Sequence, residues 1–208
     1  VDAGEKWGWS VWKRTANKND NENAAHYVIF NNFSSQEQRD KQMKNWSMEK
    51  AISMMKLGLK GKMSSRTINN IIKNGDKVKK EVRQYQIQWL DATPFVGELK
   101  IGDKMSFAAM TQKLDDYEEY ESEVWKPVFE REILRNNHRW WALTKIAKRN
   151  ESAYKEPTHL VWNIGVSNGK PFVEDDDFMS KAMRSEKMRD EYRNMSNANE
   201  LTLIYKTN

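Results

Sequence analysis

Hydrophobic and polar positions along this chain fall into short blocks whose period switches between two and about 3.6. Residues 7–14, WGWSVWKR, are rich in Trp and Val, which suit a pleated, half-buried surface. They predict a strand with Trp7 and Trp9 on one face and Trp12 on the other. Residues 17–23, NKNDNEN, are all polar turn formers and predict a loop. In the next block, AAHYVIFNNF at 24–33, the centre from Tyr27 to Phe30 is apolar on both faces, as in a strand covered on both sides. Ser34, Ser35 and Gln38 then form a capping-box signature. A helix is expected over 36–57, closed by Gly58 and Gly61, and a second over 64–73. Residues 81–90 alternate Arg83, Tyr85, Ile87 and Trp89 with Gln84, Gln86 and Gln88, which predicts a strand with one wet side.

Pro94, Gly97 and Gly102 mark residues 91–103 as a linker. A strand follows at 104–112. Leu114-Asp115-Asp116 then opens a helix whose stripe is Tyr117, Tyr120, Val124 and Val128, with Trp125, Phe129 and Ile133 beside it. Pro127 is expected to kink this helix, and Asn136-Asn137 to end it. Strands are expected at 139–148 and 158–166, a helix from Glu174–Asp177 to about Met195, and a last strand at 200–206. The second half thus reads β-α-β-β-α-β, the ferredoxin-like order. The first half reads β-β-α-(α)-β, the same order without its leading strand and helix. The expected class is α+β, with one unit at 1–90, a linker at 91–103 and a second unit at 104–208.

The two halves align as a repeat. With Trp9 placed over Trp141, His26 follows 17 residues later and His159 follows 18 residues later. AHYVIFNNFSS lies over THLVWNIGVSN, and EVRQYQIQ over ELTLIYK. Agreement of order and spacing together is the mark of a duplication. The repeat leads one to expect an upstream strand and helix of roughly 35 to 45 residues.

The segments EVWKPVFE (Glu123–Glu130), Trp140-Trp141-Ala142-Leu143 and Trp7-Gly8-Trp9-Ser10 resemble the dimeric α/β-barrel superfamily, which includes antibiotic-biosynthesis-monooxygenase-like and NIPSNAP-like domains. The chain is also similar to exported proteins of Bacteroidetes-type bacteria. The resemblance implies two ferredoxin-like units packed sheet to sheet around a cavity. Here both would come from one chain, as a pseudo-dimeric α/β barrel whose first unit lacks its leading strand and helix.

Composition narrows the function classes. The 208 residues are 38% hydrophobic, 11% aromatic and 31% charged, enough for a packed core beneath a solvated surface. The net charge of +5 is spread among interleaved acids and bases. Nucleic-acid binding needs a focused basic face, so no nucleic-acid partner is expected. Cysteine is absent, which excludes disulfides, a thiolate nucleophile and a Cys-ligated metal. No apolar run approaches the ~18 residues of a membrane span. The chain starts at Val1 without an initiator Met, so removal of an upstream segment such as a signal peptide is expected. That would place the protein in the periplasm or at the outer membrane, with the cytoplasm as the alternative.

No residue is assigned a catalytic role. His26 and His159 enter equivalent strands, either as proton acceptors or ligand contacts or, more blandly, as hydrogen-bonded histidines at strand starts. His138 follows a helix end, where a cation is favoured. Trp7, Trp9, Trp125, Trp140, Trp141 and Trp162 suit either an aromatic pocket or a core between sheet and helix. The candidate ligand-pocket set is Trp7, Trp9, His26, Trp125, Trp141 and His159. The acids at 115–123 and 174–177 lie in first helical turns, where acids are expected anyway, and no metal is expected. Glycine-rich nucleotide motifs, Gly-x-Ser-x-Gly and zincin spacing are all missing, so no cofactor is expected.

Three readings follow. One is a binding or envelope-associated protein for a small hydrophobic or aromatic ligand. The next is a cofactor-independent monooxygenase or isomerase acting on a flat substrate. The third is a subunit of a larger complex, docking a protein partner through Met48, Met54, Met55 and Met63. An enzyme needs an enclosed cavity with a histidine or acid aimed into it, whereas a structural module has that interior filled by side chains.

Overall fold

The computed structural model describes residues 6–75, 77, 79–166 and 188–207. Its strands are β1 (Gly8–Arg14), β2 (Tyr27–Asn32), β3 (Tyr85–Ala92), β4 (Lys104–Gln112), β5 (His138–Arg149), β6 (His159–Gly165), β7 (Arg193–Met195) and β8 (Asn199–Lys206). Its helices are α1 (Gln36–Lys44), α2 (Met48–Leu59), α3 (Ser65–Asn74), α4 (Tyr117–Tyr120) and α5 (Lys126–Leu134), and a π-helical turn, Glu121–Trp125, joins the last two. The class is α+β. The strands form one sheet in the order β2-β1-β8-β4-β6-β5-β3, and β7 also pairs with β4. Pairing is antiparallel between β4 and β6, β7 and β8, and between β5 and β3 and β6.

The chain divides into two compact units. The larger holds Trp12–Val28 and Arg83–Ile204, and the smaller holds Val1–Val11, Ile29–Val82 and Tyr205–Asn208. In the larger unit, β4 and β5 are joined through α4 and α5, and β6 lies between them in the order. Register fixes which side chains share a face. Met110 opposes His159, Ala108 opposes Val161, and Leu143 opposes Val161 from the other side. This face carries Met110, Trp141, Leu143 and Val161, which form a buried cluster with Tyr117 and Tyr120 of α4. On the opposite face Phe107 stands against Trp162 and Met105 against Leu201. There Met105, Trp162, Ile164, Leu201 and Leu203 are all buried, and the Trp162 indole N–H donates to Thr144 Oγ1 at 2.9 Å. Burial of both faces explains the unbroken apolar runs in these strands. The connection from β3 to β4 is tied down along β5. Thr93 Oγ1 accepts from Trp141 N–H at 3.0 Å, and the Arg139 guanidinium donates to the Glu98 carbonyl and pairs with Asp103 at 2.9 Å.

The smaller unit carries α1, α2 and α3, and the single helix expected over 36–57 is two. Asn45 closes α1. Ser47 is extended (φ −142°, ψ 159°), and its hydroxyl accepts from Lys50 N–H to start α2 afresh. A serine side chain competes well for such a donor, so it caps in preference to continuing a helix. Gly58 lies inside α2, and Gly61, at φ 79°, follows its end. α1 and α2 bury no residue, and Met43, Trp46, Met48, Met54 and Leu57 are all more than half exposed.

Two further expectations are corrected in the larger unit. Residues 193–195 form β7 rather than the end of a helix, because their backbone pairs with Met110–Gln112 of β4. Residues 188–192 are helical, and the expected helix start at Glu174–Asp177 lies outside the described residues. Pro127 produces a widened turn just before α5 instead of a kink within a continuous α-helix. The Lys126 N–H reaches the Glu121 carbonyl five residues back, and Pro127, with no N–H of its own, sits in the first turn of α5, where none is needed.

Candidate functional site

The widened turn governs what the helix presents to the sheet. Tyr117, Tyr120, Glu121, Val128 and Glu132 are buried along it. A carboxylate on an otherwise apolar stripe is costly unless it is paired. Glu121, only 1% exposed, is paired with the Arg193 guanidinium, itself 5% exposed. Arg193 is delivered by β7, where it stands opposite Gln112 of β4. Its guanidinium carbon lies 5.6 Å from the Trp125 ring centroid and 6.0 Å from that of Tyr117. Tyr120 stacks on Tyr192, the residue before it, with centroids 4.0 Å apart and planes 8° from parallel. The positive charge is thus lodged among aromatic rings and one carboxylate. Burial lowers the proton affinity of Arg193 below the ordinary guanidinium value and pushes the Tyr117 hydroxyl well above the usual phenol range. The Tyr117 hydroxyl and the Trp141 indole N–H are buried and have no hydrogen-bond partner among the described residues.

A second polar group lies beside the first. His159 is fully buried at the start of β6, with the edge of its ring against Tyr117 at 4.9 Å. Its Nδ1 lies 2.8 Å from Thr158 Oγ1 and its Nε2 lies 3.1 Å from Glu118 Oε1. The geometry suits a neutral imidazole that donates through Nε2 and accepts from the threonine. Lys145 Nζ reaches the same Glu118 oxygen at 2.6 Å. That hydrogen bond holds the Glu118 carboxyl below its usual range, with His159 contributing in the same sense. Burial lowers the pKa of His159. With both ring nitrogens engaged, His159 is a positioned hydrogen-bonding group rather than a free base.

Of the residues singled out from the sequence, the structure brings together Trp125, Trp141 and His159. Trp141 belongs to the buried cluster, Trp125 packs against that cluster, and His159 touches its Tyr117. His26 is exposed just before β2, and its carbonyl accepts from Arg14 N–H at 2.9 Å. Trp7 and Trp9 belong to the smaller unit. Trp7 is 72% exposed. Trp9 meets Tyr205 edge-on at 5.1 Å and lines an open concavity of about 290 Å³ with Lys6, Trp46, Lys50 and Met54. Glu121 and Arg193 were missed. A signal for Glu121 was present, since it falls four residues after Tyr117 on the apolar stripe. Arg193 had none, because a three-residue strand shows no periodic pattern in the sequence. Among the described residues no group of His, Asp and Glu is arranged to hold a metal, and no helix is long and apolar enough to cross a membrane.

No protein-family model matches the sequence, and no curated protein matches it. Solved structures do. An anthrone oxidase-like protein superposes over 100% of this chain and 81% of its own, with a TM-score of 0.54 at 13% identity. A candidate monooxygenase of Fusobacterium nucleatum subsp. nucleatum superposes over 97% of this chain and 77% of its own, with a TM-score of 0.53 at 10% identity. At such identities the likeness is one of fold: a mixed α+β chain on an antiparallel sheet.

Proposed function

We propose that the helix–sheet interface of the larger unit binds a small, flat, largely apolar molecule bearing a carbonyl or hydroxyl, and that the fold around it is a tandem ferredoxin-like barrel. The split β-α-β order β8-β4-β6-β5 supports the fold reading. One observation carries the binding reading: a buried Arg193–Glu121 pair sits among the rings of Tyr117 and Trp125. Beside it, the Tyr117 hydroxyl and Trp141 N–H have no described partner. Leaving such groups buried and unmet costs about 1–3 kcal/mol each. A ligand oxygen would recover that cost, while its ring replaced side-chain contacts. Anthrone and anthraquinone are suitable probes in a thermal-shift titration. At a hundredfold excess over Kd, binding contributes about 2.7 kcal/mol, a rise of roughly 5–10 °C for a chain of this size. Trp125→Ala should abolish the rise. No shift with any flat ketone or phenol would overturn the reading.

A second reading makes the same interface an oxygenase site, and the fold shared with proteins named as an anthrone oxidase-like protein and a candidate monooxygenase favours it. Oxidation of anthrone to anthraquinone consumes one O2 and releases one water. It begins with loss of a proton from the ring carbon, for which Glu121 is the carboxylate at hand. Oxygen uptake with anthrone, lost in Glu121→Gln, tests it. Binding without uptake would leave only the first reading.

A further inference from the structure

Over most of the chain acids and bases interleave, but one stretch departs from this. Residues 41–73 hold seven lysines and Arg66 against a single acid, Glu49, so the rest of the chain is slightly acidic. All of these cations but Lys50 are exposed. The acids just before the stretch, Glu37 and Asp40, lie in α1, where Asp40 pairs with Arg39 at 3.0 Å.

The same stretch leaves its apolar side chains uncovered. Seven of the 12 residues of α2 are apolar, yet none is buried. A helix apolar around so much of its girth is normally enclosed by protein or lipid. α3 packs on α2 and buries only Ile68 of its own. Leu57 is 76% exposed, Trp46 54% and Met54 53%. Met54 and Leu57, three residues apart, share one side of α2, and Trp46 lines the same concavity as Met54. Each exposed apolar residue from Met43 to Met63 has an exposed lysine within four positions along the chain.

That mixture selects among partners. The buried centre of a protein–protein interface is depleted in lysine. A nucleic acid would satisfy the lysines through its phosphates but offers no apolar interior to Leu57 or the methionines. An anionic lipid surface takes both. Ammonium groups meet the headgroup phosphates, while their stems and the aliphatic side chains enter the acyl boundary. A tryptophan suits the same depth, with an apolar ring and one N–H donor. At about 1.5 Å per residue, α2 is about 18 Å long. That is too short for an apolar layer of ~30 Å, so only a position along the surface is open to it.

We propose that α1, α2 and α3 form a docking surface for a membrane rich in anionic phospholipid. α2 lies in the headgroup plane, Trp46, Met54 and Leu57 enter the acyl boundary, and the lysines around them engage the phosphates.

The test is sedimentation of the protein with phosphatidylcholine vesicles, with and without a third of phosphatidylglycerol. Binding should need the anionic lipid and weaken as salt rises. Lys44→Glu combined with Lys60→Glu should weaken it at least about 25-fold, and Leu57→Ser about tenfold. The far-ultraviolet circular dichroism of both variants should be unchanged, because all three side chains are exposed. Brominated acyl chains should quench tryptophan emission, and Trp46→Phe should remove that quenching. No binding to anionic vesicles, or equal binding to neutral ones, would overturn the proposal. So would binding untouched by Leu57→Ser, or tighter binding to duplex DNA than to vesicles, which would give the surface to a nucleic acid. A concentration-dependent dimer broken by Leu57→Ser would give it to a second copy and equally overturn the proposal.

Discussion

β2 and β6 are close to the same sentence written twice, HYVIFNN and HLVWNIG, and they meet opposite fates. Along β6 four of seven residues are buried, whereas along β2 none is. Trp141 and Trp9, in the strands beside them, differ in the same way. The apolar character of a strand therefore reports what its fold requires, and its neighbours decide whether the requirement is met. β6 has strands on both edges and a helix over its Val161 face. Among the described residues β2 is paired by β1; Val28, which matches Val161, is half-buried, and Tyr27 and Ile29, which match Leu160 and Trp162 on the other face, are exposed.

The sharpest way to break this comparison is to truncate the paired tryptophans. Trp141→Ala should cost about 3–5 kcal/mol, because it empties a fully buried site. Trp9→Ala should cost less than about 2 kcal/mol, because the ring gives up only part of its burial. Urea denaturation of both variants measures the gap, and equal losses would show that the halves are equally covered. Next in size is the buried ion pair, which is confined to the second half. Arg193→Leu should cost about 3 kcal/mol by stranding the Glu121 carboxylate. Adding Glu121→Met should restore much of that loss, since an apolar pair of similar volume often matches a buried ion pair. A double-mutant cycle gives the coupling.

The smallest effect is in pH. Burial depresses the pKa of His159 in the folded chain, so the unfolded chain takes up this proton first. Stability should be level above the ordinary histidine value, about 6.5, and fall as the pH drops below it. The depressed Glu118 carboxyl adds a separate loss at lower pH, below the ordinary glutamate range. His159→Gln should shrink the first limb of the stability–pH curve, to which His138, likewise depressed by burial, also contributes, and leave the second. A wild-type curve that stays flat between pH 7 and pH 5 would contradict the buried, neutral imidazole.

Much of the sheet was legible in the sequence for reasons that are local. β4 runs over the residues expected, 104–112, because its apolar block is bounded by Gly102 and by Leu114-Asp115-Asp116. What could not be read depends on contacts between distant residues. Polar Ser47 inside an apolar-periodic stretch gave no warning that it would cap a new helix. β7 is three residues long and exists because β4 offers it an edge. The partnership of Glu121 with Arg193 spans 72 positions and passes through that unforeseen strand. The tryptophan pattern marked Trp125 and Trp141 but could not separate them from Trp7, whose equally suitable ring is left in water. Hydrophobicity registers the demand for burial and is silent about supply.

The π-helical turn at Glu121–Trp125 amounts to one surplus residue in the middle of a helix. Each residue of an α-helix advances the chain by about 100°. Wound as plain α-helix with no residue removed, this stretch would swing everything after it by about that angle. Val128 and Glu132 would turn away from the sheet, and Phe129 would leave the face of Trp141. The widened turn absorbs the surplus, so a chain one residue shorter at this point could keep the same interior with an ordinary helix.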